Sequence, residues 1–123
     1  MNQDEIKAAM MKNFERYYIE SLKRSWFLAD RTERKLRLKY VIELSVELHK
    51  IKQHGIFAVG LGEGAIEKII EGDYEEANRY ASDFTFEHDG PEVAKQYGPL
   101  WERFRELLHE ARDHALVLSV MNL

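Results

Sequence analysis

Hydrophobic positions recur along most of the chain with a helical period, and they are densest over residues 36–51, which read L-R-L-K-Y-V-I-E-L-S-V-E-L-H-K-I. On a helical wheel of about 100° per residue, the apolar side chains of this stretch cover almost the whole circumference. The narrow polar strip that remains holds Lys39, Glu43, Glu47 and Lys50. A helix that is apolar nearly all round is normally enclosed by other elements. The pattern therefore predicts a central buried helix over about 33–53.

A further helical pattern, over residues 4–29, precedes the central helix. Asp4 lies in its first turn, where a carboxylate suits the positive end of the helix dipole. Asp30 then stands three residues before Glu33, which is the spacing of a capping box with Asp in place of the usual Ser or Thr. Gly55 suits the left-handed conformation that commonly ends a helix. These residues mark where the central helix is expected to begin and end.

The glycine-rich segment 56–72 (I-F-A-V-G-L-G-E-G-A-I-E-K-I-I-E-G) has two interpretations. The first is a short strand, a glycine turn and a helix, as in phosphate-binding loops. However, its glycines are spaced G-x-G-x-G, unlike the dinucleotide-binding G-x-G-x-x-G, and the chain offers no further βα units. The second is a helix whose glycines permit a close crossing with the central helix, at about 1 kcal/mol per glycine relative to alanine. The sequence favours the second interpretation, or a loop that leads into a helix, over the first.

Two more helices are predicted in the last third of the chain. Asp73 is the expected N-cap of a helix over 74–84. Pro99 suits a first helical position, and it predicts the start of a long C-terminal helix over about 99–121. Together the patterns predict an all-α fold. They indicate a single domain, residues 1–123, built as a bundle of four to five helices.

The end of the last helix, A-L-V-L-S-V-M-N-L, is apolar on every side. A terminus that contacts only solvent has no reason to be so apolar. Either this end docks in the core of its own chain, or it enters a second subunit. The sequence favours a homodimer that joins through Leu116, Val117, Val120 and Met121. It therefore favours a non-catalytic interaction or adaptor protein, with a different protein partner as an alternative.

Composition narrows the classes of function. The 123 residues contain no cysteine, which excludes a disulfide framework, a thiol nucleophile and a thiolate metal site. A reducing, cytoplasmic location is then the default expectation. No apolar run approaches the roughly 18 residues that span a bilayer. The acidic start, M-N-Q-D-E, is unlike a signal peptide. We expect neither membrane association nor a cofactor.

The net charge of −4 conceals two oppositely charged parts. Residues 23–53 carry nine Lys and Arg against four Asp and Glu, whereas residues 54–123 carry six against fourteen. Phosphate contacts need Lys and Arg, and Trp26 or Tyr40 nearby would stack bases, so the basic part is a candidate nucleic-acid surface. Its residues are Lys23, Arg24, Arg31, Arg34, Lys35 and Arg37. The acidic balance of the whole chain favours the alternative, in which basic and acidic helices neutralise each other.

Three polar residues on apolar faces form a candidate ligand site. Ser45 and His49 lie one turn apart on the central helix, and His114 borders the apolar stripe of the last helix. If they converge, they form a small-ligand or metal-binding site, and the protein would then be a candidate enzyme. The alternative is that each histidine is a hydrogen-bonded structural group. No catalytic residue is predicted, because the Ser45–His49 pair lacks an orienting acid and an oxyanion hole.

A second pair of residues has the spacing of metal ligands but not their orientation. Glu106 and His109 form the E-x-x-H pairing of di-iron bundles, whose ligands point inward. Here the wheel places both residues opposite the apolar stripe, and the chain lacks a second E-x-x-H. The sequence therefore predicts a solvated face at this position and no metal ligands.

Overall fold

The computed structural model describes residues 2–6, 8, 9, 12, 29–52, 56–82 and 84–121. Every regular element in these ranges is helical. The elements are α1 (Arg31–Ile51), α2 (Ile56–Glu71), α3 (Tyr74–Ser82), a 3-10 turn (Glu87–Asp89) and α4 (Pro91–Met121). Residues 3–6 are also helical. The predicted all-α bundle, with a central helix and a long C-terminal helix, is confirmed. Most of the rest of the predicted first helix, together with Gly55, lies outside the described residues.

The central position of α1 follows from its packing against both α2 and α4, while α3 connects α2 with α4. Its core side chains are Leu36, Tyr40, Val41, Leu44, Leu48 and Ile51. The predicted N-cap is present, since Asp30 Oδ1 accepts a hydrogen bond from the Glu33 N–H at 2.8 Å. The Glu33 carboxylate is bonded elsewhere, to Arg37 and Tyr74. Glu33 therefore links α1 with α3.

The helix α2 confirms the interpretation of the glycine segment as a helix that crosses the central helix closely, and the strand–turn–helix interpretation is wrong. A Cβ atom on Gly62 would lie 2.9 Å from Leu48 Cδ2, well inside van der Waals contact. The absence of a side chain at Gly62 therefore allows α2 to approach α1.

The connection between α2 and α3 takes only Gly72 and Asp73. Gly72 has a φ of 82°, the Gly72 N–H donates to the Ile69 carbonyl, and the Asp73 N–H donates to the Lys68 carbonyl. This pair of hydrogen bonds defines a Schellman motif. Asp73 Oδ1 also accepts from the Glu76 N–H at 3.1 Å, so the predicted N-cap of α3 is confirmed.

The last helix begins eight residues before the predicted start, at Pro91, and it passes through Pro99. An interior proline removes one helical hydrogen bond and costs about 3 kcal/mol. Here aromatic packing on both sides offsets that cost. The ring centroid of Phe86 lies 5.7 Å from that of Tyr97 and 6.3 Å from that of Trp101. Because these two residues flank the proline, contact with Phe86 favours one continuous helix.

Candidate functional site: the apolar end of α4

The solvent-facing side of α4 changes character along its length. At about 100° per residue, the exposed polar and charged side chains between residues 101 and 113 share one face, opposite the buried stripe. They are Glu102, Arg103, Glu106, His109, Glu110 and Asp113. On the same face, the next two turns carry only apolar side chains. We call Leu116, Val117, Val120 and Met121 the apolar end.

The four side chains of the apolar end are largely exposed. The exposed fractions are 64% for Leu116, 53% for Val117, 61% for Val120 and 75% for Met121. Ala115 and Leu118, on the other side of the same turns, pack against the core. Single exposed apolar residues are ordinary, but a contiguous group usually marks a contact surface. The helix therefore fills its own core with one side and presents the other to solvent.

A groove of about 470 Å³ runs beside the apolar end. Glu33 at the start of α1 and Tyr74 at the start of α3 form one wall, and Ala115 and Leu116 form the other. The start of α1 therefore lies beside the end of α4, which places the basic beginning of α1 next to the apolar end.

Arg37 contacts Glu33, which lines this groove. Its side chain is buried, with 7% exposure. Nε lies 3.1 Å from Glu33 Oε1, and Nη1 donates to the Ile70 carbonyl at 3.1 Å. Tyr74 also contacts Glu33, because its hydroxyl donates to Glu33 Oε1 at 2.6 Å. Arg37 therefore satisfies a carbonyl in the last turn of α2. The four-residue spacing from Glu33 was the sequence signal for this pair.

The pKa of Tyr74 is raised well above its usual 10.0, first by burial and then by the hydrogen bond to Glu33. Since the unfolded chain ionises this phenol near pH 10, the stability it contributes is intact below that pH and is lost above it. We expect wild type to lose stability more steeply than Tyr74→Phe, by about 1 kcal/mol per pH unit after allowance for solvent screening. Urea unfolding of both proteins at pH 8 and at about pH 11 measures this difference. Equal losses would show that folding does not raise the pKa of Tyr74.

The candidate nucleic-acid residues do not share one environment. Arg31 and Lys35 are exposed and Arg34 is half-buried, and none of the three forms an ion pair with another described residue. Arg37 is buried, so its guanidinium is not accessible to phosphate. Lys23, Arg24 and Trp26 lie outside the described residues.

The candidate ligand residues are separated. Ser45 and His49 are half-buried on α1. His114 is exposed on α4, and its Nδ1 lies 3.3 Å from the Tyr40 hydroxyl. Because His49 is nine residues beyond Tyr40, roughly 13 Å along the helix axis, the structure does not bring the two histidines together. Burial, and then the charge of Lys52, lowers the pKa of His49.

The E-x-x-H pair faces solvent, as the helical wheel predicts. Glu106 is exposed and lies 3.4 Å from Arg103 Nη1, and His109 is also exposed. Within the described ranges, no group of three or more His, Asp or Glu residues is arranged to hold a metal ion. None of the described helices combines the length and the apolar character required to cross a membrane.

No known family model matches this chain, and neither a curated protein nor a solved structure matches it. Functional inference therefore depends on the surfaces described above, and the apolar end is the largest exposed apolar feature among them.

Proposed function

We propose that this protein is a non-catalytic interaction protein that forms a homodimer through the apolar end of α4. One observation carries the proposal: four adjacent apolar side chains are exposed on two successive turns, opposite the side of the helix that packs in the core. Two further observations favour an interaction role over the alternatives. His49 and His114 lie apart, and Arg37 is an interior residue.

The strength of the contact follows from the apolar surface that it covers. Fully burying a Val, Leu or Met side chain contributes about 1.5–3 kcal/mol. Because half to three-quarters of each side chain is exposed, one apolar end can still gain about 4–8 kcal/mol, and two ends that cover each other gain about twice as much. Association opposes this with about 4–15 kcal/mol. We therefore expect a reversible dimer with a dissociation constant in the micromolar range or higher.

Val120→Asp tests the proposal, because it places a carboxylate from each copy in the contact. We expect the dissociation constant to rise at least about 100-fold, since burying an unpaired charge costs several kcal/mol. Sedimentation equilibrium over a wide concentration range, up to several hundred micromolar, measures the constant. The side chain is exposed, so the thermal melting of the monomer should be unchanged.

Gln96→Asp is the matched control, because it adds the same charge at an exposed position of α4 far from the apolar end. This variant should dimerise like wild type. A wild-type chain that remains monomeric at the highest concentration would refute the proposal. So would a Val120→Asp variant that dimerises as strongly as the control.

A further inference from the structure

We infer that the two copies join tail to tail, with their α4 helices antiparallel and only their C-terminal turns overlapping. The inference rests on the proposed homodimer and specifies its geometry. It follows from the face that α4 presents to solvent, which carries four carboxylates and one arginine between residues 102 and 113 and is apolar after residue 115. A second copy must cover the apolar part, and its orientation decides what the acidic part meets.

A parallel pair in register would bring identical residues together along the whole face. Glu102, Glu106, Glu110 and Asp113 of one copy would then face the same carboxylates of the other. Like charges in direct opposition across an interface are unfavourable. Arg103, Arg105 and Arg112 reduce this charge, because they pair with Glu106, Glu102 and Asp113, but Glu110 has no described ion-pair partner. The carboxylates on this face of α4 therefore disfavour the parallel arrangement.

The antiparallel arrangement removes this repulsion. With the overlap centred between Leu118 and Ser119, Leu116 of one copy lies opposite Met121 of the other, and Val117 lies opposite Val120. The acidic part of each helix then extends past the end of its partner's α4. Apolar side chains meet apolar side chains throughout the overlap.

The start of α1 supplies cations beside the end of each α4, where Asp73 and Glu75 also line the groove. The shared groove of Glu33, Ala115 and Leu116 and the bond between Tyr40 and His114 show that α1 runs antiparallel to α4 within one copy. The first two turns of α1 therefore lie level with the apolar end. They carry Arg31, Arg34 and Lys35, which form no ion pair with a described residue. In the tail-to-tail dimer these cations flank Glu110 and Asp113 of the second copy. The two oppositely charged parts of the sequence then complement each other between copies.

Single-cysteine cross-linking tests the geometry, because the chain contains no cysteine of its own. In the antiparallel dimer a cysteine at position 117 lies about 5 Å along the axis from its copy, whereas a cysteine at position 106 lies roughly 35–40 Å away. A disulfide requires Cα atoms within about 7 Å. We expect Val117→Cys to give at least about tenfold more covalent dimer than Glu106→Cys under mild oxidation.

The outcomes separate the geometry from the dimer itself. Covalent dimer from Glu106→Cys at a yield similar to that of Val117→Cys would indicate a parallel pair and overturn the inference. A wild-type dimer with no cross-link in either variant would also overturn it, because the copies would then meet elsewhere. A wild-type chain that is monomeric by sedimentation would refute the proposed function instead.

Salt dependence tests the contact between the basic start of α1 and the acidic face of the second copy. We expect the wild-type dissociation constant to rise several-fold between about 0.05 M and 0.5 M NaCl, because salt screens exposed charges. The double charge reversal Arg31→Glu and Lys35→Glu should weaken the dimer at low salt and remove most of this dependence. A dissociation constant independent of salt would overturn the predicted charge contact.

Discussion

Arg37→Ala is expected to lower the free energy of unfolding by about 3–5 kcal/mol, as is typical when one partner of a buried ion pair is removed. The substitution leaves the Glu33 carboxylate without its cation, in a site where that side chain is only 24% exposed. It also removes the donor to the Ile70 carbonyl. An unsatisfied buried acceptor adds a desolvation penalty of about 1–3 kcal/mol, which is part of the same total. Urea unfolding monitored by circular dichroism measures the change.

Arg31→Ala is the matched control, because this arginine is exposed in the first turn of the same helix. Its effect should stay within about 0.5 kcal/mol. A double-mutant cycle of Arg37→Ala with Glu33→Ala then isolates the pair from the bond to Ile70. A loss below about 1 kcal/mol for Arg37→Ala would contradict the structural role of this residue.

Gly62→Ala is expected to destabilise the protein by about 1–3 kcal/mol, although alanine is the better helix former. The new methyl group would overlap the side chain of Leu48, which is buried in the core and cannot easily turn away. Gly60→Ala makes the same change two residues earlier, where no described residue outside the glycine's own turn has an atom within 4 Å of the added Cβ. That variant should gain about 0.5–1 kcal/mol. Chemical unfolding of the two variants therefore gives shifts of opposite sign.

Gly62→Ala in a Leu48→Ala background tests whether overlap with Leu48 causes the loss of stability. Leu48→Ala alone should cost about 2–5 kcal/mol, because it leaves a cavity between α1 and α2. In that background the methyl group of Gly62→Ala enters the cavity, so its effect should become neutral or stabilising. If Gly62→Ala stabilised the wild-type chain as Gly60→Ala does, the close crossing of α1 and α2 would be refuted.

Much of the fold could be predicted because its signals are local. The period of apolar residues identifies α1, and Asp30 and Asp73 lie at the cap positions that their side chains suit. The prediction that α4 begins at Pro99 was wrong for the opposite reason. A proline has a known local cost, whereas the packing of Tyr97 and Trp101 on Phe86 that offsets it depends on tertiary contacts.

The candidate site was predictable to a smaller extent. The wheel of α4 identifies which residues face away from the core, and it places Leu116 and Val120 among them. The separation of His49 from His114 depends on how far α1 is displaced along α4, which periodicity within each helix does not determine. The role of Arg37 likewise requires the end of α2 to reach α1, so the sequence could indicate its pairing with Glu33 but not its bond to Ile70.

The bond from Arg37 to the end of α2 has a consequence for cooperativity. The turn at Gly72 is formed by residues close in sequence, so local hydrogen bonds determine the geometry of the α2–α3 hairpin. Of the described residues, Arg37 in α1 donates to the Ile70 carbonyl, 33 residues later in the chain. Fraying of the first two turns of α1 would therefore leave the Ile70 carbonyl without this donor. The start of α1 and the end of α2, although distant in sequence, are thereby coupled in local unfolding, for which the start of a helix is usually the easiest part to open.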